Sequence, residues 1–214
     1  MKELRYTLLT DGPSDKAIVS ILNWLLKQYL PRVPIQSRWS DLRRLYRPPR
    51  ELHKRIQKSA ELYPCDLLFV HRDAETVPLN DRLGEVVNAF NMANSAGGIP
   101  PVVSVIPVRM MEAWLLFDVN AIRLAAGNPN GVVELNMPKM CDIESLPNPK
   151  GALHTLLREA TEWGSHRKDR FDTGTAAQRI PEYISDFSPL RSLSAFKSLE
   201  NRILEIIRQQ NWTS

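Results

Sequence analysis

The segment that most constrains the fold is Cys65 to His71, CDLLFVH, followed at once by Arg72-Asp73-Ala74-Glu75. A near-continuous apolar run of this length, ending abruptly in charged residues, is the pattern of a strand buried on both faces. Such strands belong to parallel sheets with helices packed on either side. Pro101 to Val108 (PVVSVIPV) repeats the pattern, and Leu4 to Thr10 is a shorter β-favouring run that ends in the turn-forming Asp11-Gly12-Pro13-Ser14-Asp15. Val33 to Trp39 supplies a fourth candidate strand.

Helical spacing fills the intervals. Ala17, Ile18, Ile21, Leu22, Leu25 and Leu26 fall on one helical face between Lys16 and Leu30. The pattern predicts further helices over about Arg50–Tyr63 and Leu79–Ala96, and a helix start over Met110–Phe117. Strands alternating with helices give an α/β fold, a Rossmann-like, mostly parallel sheet flanked by helices, with right-handed crossovers. We read residues 1–126 as this core and 127–214 as a loop or insertion followed by a helical C-terminal part, together one structural domain. The stretch from Gly127 to Pro149 holds four prolines and reads as a long loop or small subdomain. Helices are expected over about Lys150–Trp163, Thr175–Ile184 and Ser194–Gln210, the last with Ser194 as N-cap. The short basic run His166 to Arg170 reads as an exposed loop.

With 214 residues, 43% of them hydrophobic and 24% charged, the chain can bury a core and is not compositionally disordered. Two cysteines, Cys65 and Cys141, form no CxxC pair, which argues against zinc ribbons and thioredoxin-like chemistry and suits a reducing compartment. The N-terminal apolar run is too short for a signal peptide, and no stretch reaches the roughly 20 apolar residues of a membrane span. The expected location is cytoplasmic, with no membrane partner.

In an open parallel sheet, ligands bind beyond the carboxyl ends of the strands. The first strand delivers Asp11 and Asp15 there, the third Asp73 and Glu75, and the fourth Arg109 and Glu112. Five carboxylates at one sheet edge would repel one another, and a hard divalent cation resolves the conflict. Single acids of this kind also serve as turn residues and N-caps, and Glu112 can instead pair with Arg109 to fix a helix start. At the end of a buried strand, His71 reads as a packed, hydrogen-bonded residue rather than a base. No GxSxG, Walker loop or GxGxxG occurs, so those routes to nucleophilic or nucleotide chemistry are not indicated.

The segments LLTDGPSDK and LLFVHRDAE resemble the two signature motifs of the Toprim domain, shared by topoisomerases, bacterial primases and the overcoming-lysogenization-defect nucleases. Asp11 stands where the first motif has Glu, Gly12 matches, and Asp15 matches a further acid of the nuclease branch. Asp73 matches the first Asp of the Asp-x-Asp motif, and Glu75 stands for the second. IPVRMMEAWLLFD, the Pro-Lys of NPKGALHTLL and DFSPLRSLSAFKSL resemble an uncharacterised bacterial Toprim-like family, the DUF4276 type. The resemblance implies Mg²⁺ or Mn²⁺ on Asp11, Asp15, Asp73 and Glu75. It implies catalytic roles for Asp11, Asp73, Glu75, Glu112 and Lys150, Lys150 stabilising charge on a phosphoryl group. It also implies a setting in bacterial defence or a mobile element, with a partner protein of such a system.

Charge is unevenly spread. Residues 31–60 hold nine Lys and Arg against two acids, whereas the rest of the chain has 19 against 22, so the net charge of +4 resides in one basic segment. Arg38, Arg43, Arg44, Arg47, Arg50 and Lys54, with Trp39 and Tyr46 among them, are candidates to grip a nucleic-acid backbone, DNA or RNA, and stack a base. A solvated helix face is the competing account. Two functions are therefore expected: a Mg²⁺-dependent nuclease, or a catalytically silent Toprim-like module that binds nucleic acid or a partner.

Overall fold

The computed structural model describes residues 2–212. Four parallel strands form one sheet: β1 (Leu4–Leu9), β2 (Ile35–Ser40), β3 (Leu67–His71) and β4 (Val102–Val105), in the order β2-β1-β3-β4. The α/β architecture read from the sequence is the one observed. Register aligns Leu8 with Phe69 and with Trp39, and Phe69 with Val103. All four carboxyl ends therefore open on the same edge.

Alternate side chains of β1, β3 and β4 enter separate cores, whereas edge strand β2 is largely exposed. Leu4, Tyr6 and Leu8, with Leu67, Phe69, Val103 and Val105, join α1 (Ile18–Tyr29) on one face. Leu9, Leu68 and Val70 face α2 (Leu52–Leu62) and α3 (Leu79–Ala93) on the other. The helix between β1 and β2 and the helices leading to β3 and β4 thus lie on opposite faces, as right-handed crossovers require when the chain reverses direction in the sheet. That reversal falls between β1 and β3. It makes their carboxyl ends a topological switch point, where neighbouring loops part and leave a crevice.

The remainder is helical: α4 (Val119–Ala125), α5 (Pro149–Ala160), α6 (Ser165–Asp169), α7 (Thr173–Tyr183) and α8 (Ser194–Gln209). Residues of α4, α5, α7 and α8 belong to the same core as the sheet face bearing α1, with Trp114 packed edge-on against Phe196 at 5.5 Å. Among the described residues no helix is long and apolar enough to cross a membrane.

Several local expectations are corrected. The segment after β4 forms a 3₁₀ turn, Met111–Leu115, rather than an α-helical start. Helix α4 has no clear sequence period, being short, yet Asp118 caps it by accepting from the Ala121 amide at 2.9 Å. The basic run after Gly164 is the exposed helix α6, not a loop; Arg167 lies 3.8 Å over the Trp163 ring. Within 127–149, residues Met140–Ser145 form a 3₁₀ turn that buries Ile143.

Ser194 does not cap α8. It is the first helical residue, and Glu144 supplies the cap, accepting from the Ser194 amide at 3.1 Å, its hydroxyl at 2.8 Å and the Ala195 amide at 2.9 Å. A carboxylate at a helix N-terminus satisfies free amides and complements the dipole. Glu144→Ala is expected to cost about 1–2 kcal/mol, read as a fall in the urea midpoint with an unchanged slope. An unchanged midpoint would mean that the cap contributes nothing to stability.

Candidate metal centre

The chain leaves β1 through Thr10 and Asp11 and turns at Gly12. The Gly12 amide donates to Asp15 Oδ2 at 2.8 Å, and the Ser14 hydroxyl donates to Oδ1 at 3.1 Å. These bonds fold Asp15 back over the strand end, where it is only 8% exposed. A β-carbon on Gly12 would lie 3.3 Å from the same carboxylate oxygen, so this close approach favours glycine.

From β3 the buried His71 points to the same side, and Asp73 follows. Asp73 Oδ1 accepts from the Met111 amide at 2.9 Å, which ties the end of β3 to the 3₁₀ turn after β4. That turn carries Glu112, 6% exposed, whose Oε1 lies 3.6 Å from Lys150 Nζ at the start of α5. Glu112 therefore pairs with Lys150 rather than with Arg109.

These acids act on one another. Burial, and then the negative charges of Asp15 and Glu112, push the Asp73 carboxyl up to about 7. Burial holds the His71 imidazole below its usual range, against the opposite pull of Asp15. His71 Nδ1 lies 3.0 Å from the Val105 carbonyl oxygen, which can only accept, so Nδ1 carries the hydrogen. In the neutral ring Nε2 is then bare. It faces Asp73 Oδ1 at 3.5 Å and Asp15 Oδ2 at 3.8 Å. Lone pairs facing lone pairs are stable only with a proton or a cation between them.

Not every expected ligand is gathered here. Asp11 stands at the rim with its carboxylate held by Arg55 and, at 2.7 Å, by Arg72 Nε. Glu75 is exposed, and its carboxylate makes no hydrogen bond or ion pair among the described residues. Its backbone sits at φ 54° and that of Arg109 at φ 67°, both in the left-handed region. The Glu75 amide donates to the Arg109 carbonyl at 2.8 Å, which locks the two strained residues together. This turn is why Glu75 does not follow Asp73 onto one face, as an extended strand would have had it.

The donors converging at the crevice are therefore Asp15, Asp73 and His71, with Glu112 adjacent. Among the described residues no group of three His, Cys, Asp or Glu side chains is drawn to full ligand spacing. The donor chemistry nevertheless fits a divalent ion: the buried Asp15 carboxylate, the partly buried Asp73 carboxylate and a bare imidazole nitrogen, with no Lys or Arg within ion-pair distance of either Asp15 or Asp73 among the described residues. His71 is packed and hydrogen-bonded, as its place at the end of a buried strand led one to expect. Its position two before Asp73 was visible, but its hydrogen-bonded tautomer was not.

The basic segment borders this crevice. Arg43, Arg50 and Arg55 line a cleft of about 240 Å³ with Asp11, and Arg47 and Lys54 line the adjoining one of about 270 Å³. Arg43 and Arg44 both bind Asp41, and Lys54 binds Glu51. Arg38, on edge strand β2, and Arg47 and Arg50 have no acidic partner among the described residues. Tyr46 is 94% exposed, with the Arg47 guanidinium 5.5 Å over its ring, whereas Trp39 is half-buried and its indole donates to Thr10 Oγ1 at 3.0 Å, so Tyr46 is the more accessible of the two rings. Compared with protein-family models, with curated proteins and with solved structures, the chain matches none.

Proposed function

We propose that the chain is a metal-dependent nuclease whose ion, Mg²⁺ or Mn²⁺, is held by Asp15 and Asp73 at the switch point between β1 and β3. The observation that carries this reading is the meeting of a buried carboxylate, Asp15, with a partly buried one, Asp73, both lacking a Lys or Arg partner among the described residues, beside a cleft lined with arginines. The Toprim-like motifs of the sequence point the same way, and with them a cytoplasmic bacterial setting in defence or a mobile element, alongside a partner protein.

When bound, the ion supplies Lewis acidity and an activated water for phosphodiester hydrolysis. The protein's own groups do the rest. Met111 N–H orients Asp73, and Lys150, half-exposed and paired only loosely to Glu112, is free to turn toward a phosphoryl oxygen. Arg55 and Arg72 hold Asp11, and a substrate phosphate would compete with that carboxylate for both guanidinium groups. Tyr46 and Arg47, the guanidinium 5.5 Å from the ring, would receive the flanking backbone and a base.

The test is cleavage of a mixed panel of single- and double-stranded DNA and RNA with Mg²⁺ or Mn²⁺. Metal-dependent cleavage supports the reading. Its absence from folded protein under every metal would leave the second reading, a silent nucleic-acid-binding module, which the arginine-bound Asp11 and outward Glu75 favour. Affinity has its own expectation. Arg47→Glu and Arg50→Glu are each expected to weaken binding about tenfold at low salt and to flatten the salt dependence, because these two guanidinium groups are not neutralised by acids. Arg43→Glu should matter less, since Asp41 already holds that charge. Equal effects at Arg43 and Arg50 would remove the case for this cleft as the backbone track.

A further inference from the structure

We propose that His71 is a direct ligand of this centre through Nε2, and that its nitrogen makes the site prefer first-row transition ions such as Mn²⁺ over Mg²⁺. The inference rests on the metal centre proposed above and replaces Glu75, the ligand the motif would have supplied.

The ring is held in the manner of a metal ligand. His71 is 1% exposed, so the ring as a whole is almost entirely shut off from bulk water. A buried nitrogen of this kind is ordinarily hydrogen-bonded. Here the hydrogen sits on Nδ1, bound to the Val105 carbonyl at 3.0 Å, and the bare nitrogen is aimed between Asp73 Oδ1 at 3.5 Å and Asp15 Oδ2 at 3.8 Å. Neither distance is a good hydrogen bond. Imidazoles that bind metals characteristically donate their other N–H to a carbonyl or carboxylate, which fixes the tautomer and the aim of the lone pair. The Val105 carbonyl does this from the neighbouring strand, on the rigid part of the sheet.

The spacing also bears on the ion. Two donors each about 2.1 Å from an ion stand about 3.0 Å apart at an octahedral right angle and about 3.4 Å apart at a tetrahedral one. The gaps of 3.5 Å and 3.8 Å are within a small side-chain adjustment of either value, so one ion can be shared by these donors, and the choice among ions falls to the nitrogen. Mg²⁺ is a hard ion that favours oxygen and octahedral order, whereas affinity of nitrogen-containing sites rises along the first transition row. The outward Glu75 leaves the nitrogen as the third donor.

The probe is Mn²⁺ bound to the full chain, read by electron spin-echo envelope modulation, with no substrate present. Nitrogen modulation is expected in the wild type, and its frequencies should change when the protein is grown with ¹⁵N-histidine. His154→Gln should retain the modulation, although His154 lies near Lys150 and Glu112. His71→Gln should lose it, and the excess of Mg²⁺ needed to displace Mn²⁺ should fall about tenfold or more. If His71→Gln does not fold, the labelled wild type together with His53→Gln, His154→Gln and His166→Gln, each retaining the modulation, still identifies the ligand by elimination among the four histidines. Bound Mn²⁺ without histidine modulation would overturn the inference and leave a carboxylate-only centre standing. No bound Mn²⁺ in folded wild type would overturn both.

Discussion

Asp73→Ala is expected to lower metal-dependent cleavage by about a thousandfold or more while leaving nucleic-acid affinity within about twofold. The size follows from what the residue does. A metal's charge stabilisation of a phosphoryl transition state is worth several kcal/mol, and about 4 kcal/mol is a thousandfold in rate. Asp73 is partly buried beside Asp15 and His71, is positioned by the Met111 amide, and does not itself line the neighbouring arginine cleft that includes Arg50. Chemistry and affinity should therefore separate: Asp73→Ala removes the first, Arg50→Glu the second. Asp73→Asn keeps the acceptor for the Met111 amide and should be equally inactive, which distinguishes lost ligation from lost structure. Glu75→Ala, by contrast, should cost no more than about tenfold, the bottom of the range for outer-shell groups. Cleavage that survives Asp73→Ala would place the active centre elsewhere in the molecule.

The contrast between Asp73 and Glu75 marks how far the sequence could be followed. CDLLFVH announced a doubly buried strand, because an apolar run this short, bounded by Pro64 and by charge, suits a strand and falls short of a buried helix. Once the strands are parallel, Asp11 and Asp73 must emerge at the same edge, so that part of the site was legible. Which acids turn inward was not. Asp15 is drawn in by the Gly12 amide, for which the turn-forming Gly12 gave only a general sign, and Glu75 is turned out by its own left-handed backbone, which leaves no pattern in residue type. Partners distant in sequence were hidden too. Lys150 reaches Glu112, and Glu144 reaches the start of α8, because the helices after residue 127 pack back onto the sheet. Basic residues were legible as a segment, but their availability depends on Asp41 and Glu51, which neutralise some of them locally.

Trp114→Ala is expected to cost about 3–5 kcal/mol, which is a large part of the total stability of an ordinary domain. Trp114 is fully buried, lies in the turn after β4 and stacks edge-on with Phe196 of α8 at 5.5 Å. Removing it opens a cavity where the C-terminal helices meet the sheet, and a fall in the melting temperature of about 6–20 °C should follow. The indole Nε1 is buried without a partner, so Trp114→Phe should cost clearly less, since it removes an orphaned donor while keeping a ring. The same turn supplies the Met111 amide that holds Asp73, and Glu112, which pairs with Lys150. Anchoring by Trp114 therefore has a chemical consequence. In Trp114→Ala protein still folded at low temperature, Mn²⁺ affinity should fall although no ligand has been touched. Trp114→Phe should restore most of it. Calorimetry of unfolding and of Mn²⁺ binding on the same samples decides between coupled and independent roles. A large loss of stability with unchanged affinity would mean that the turn is held in place by the strands alone, and that the C-terminal helices serve the fold and not the centre.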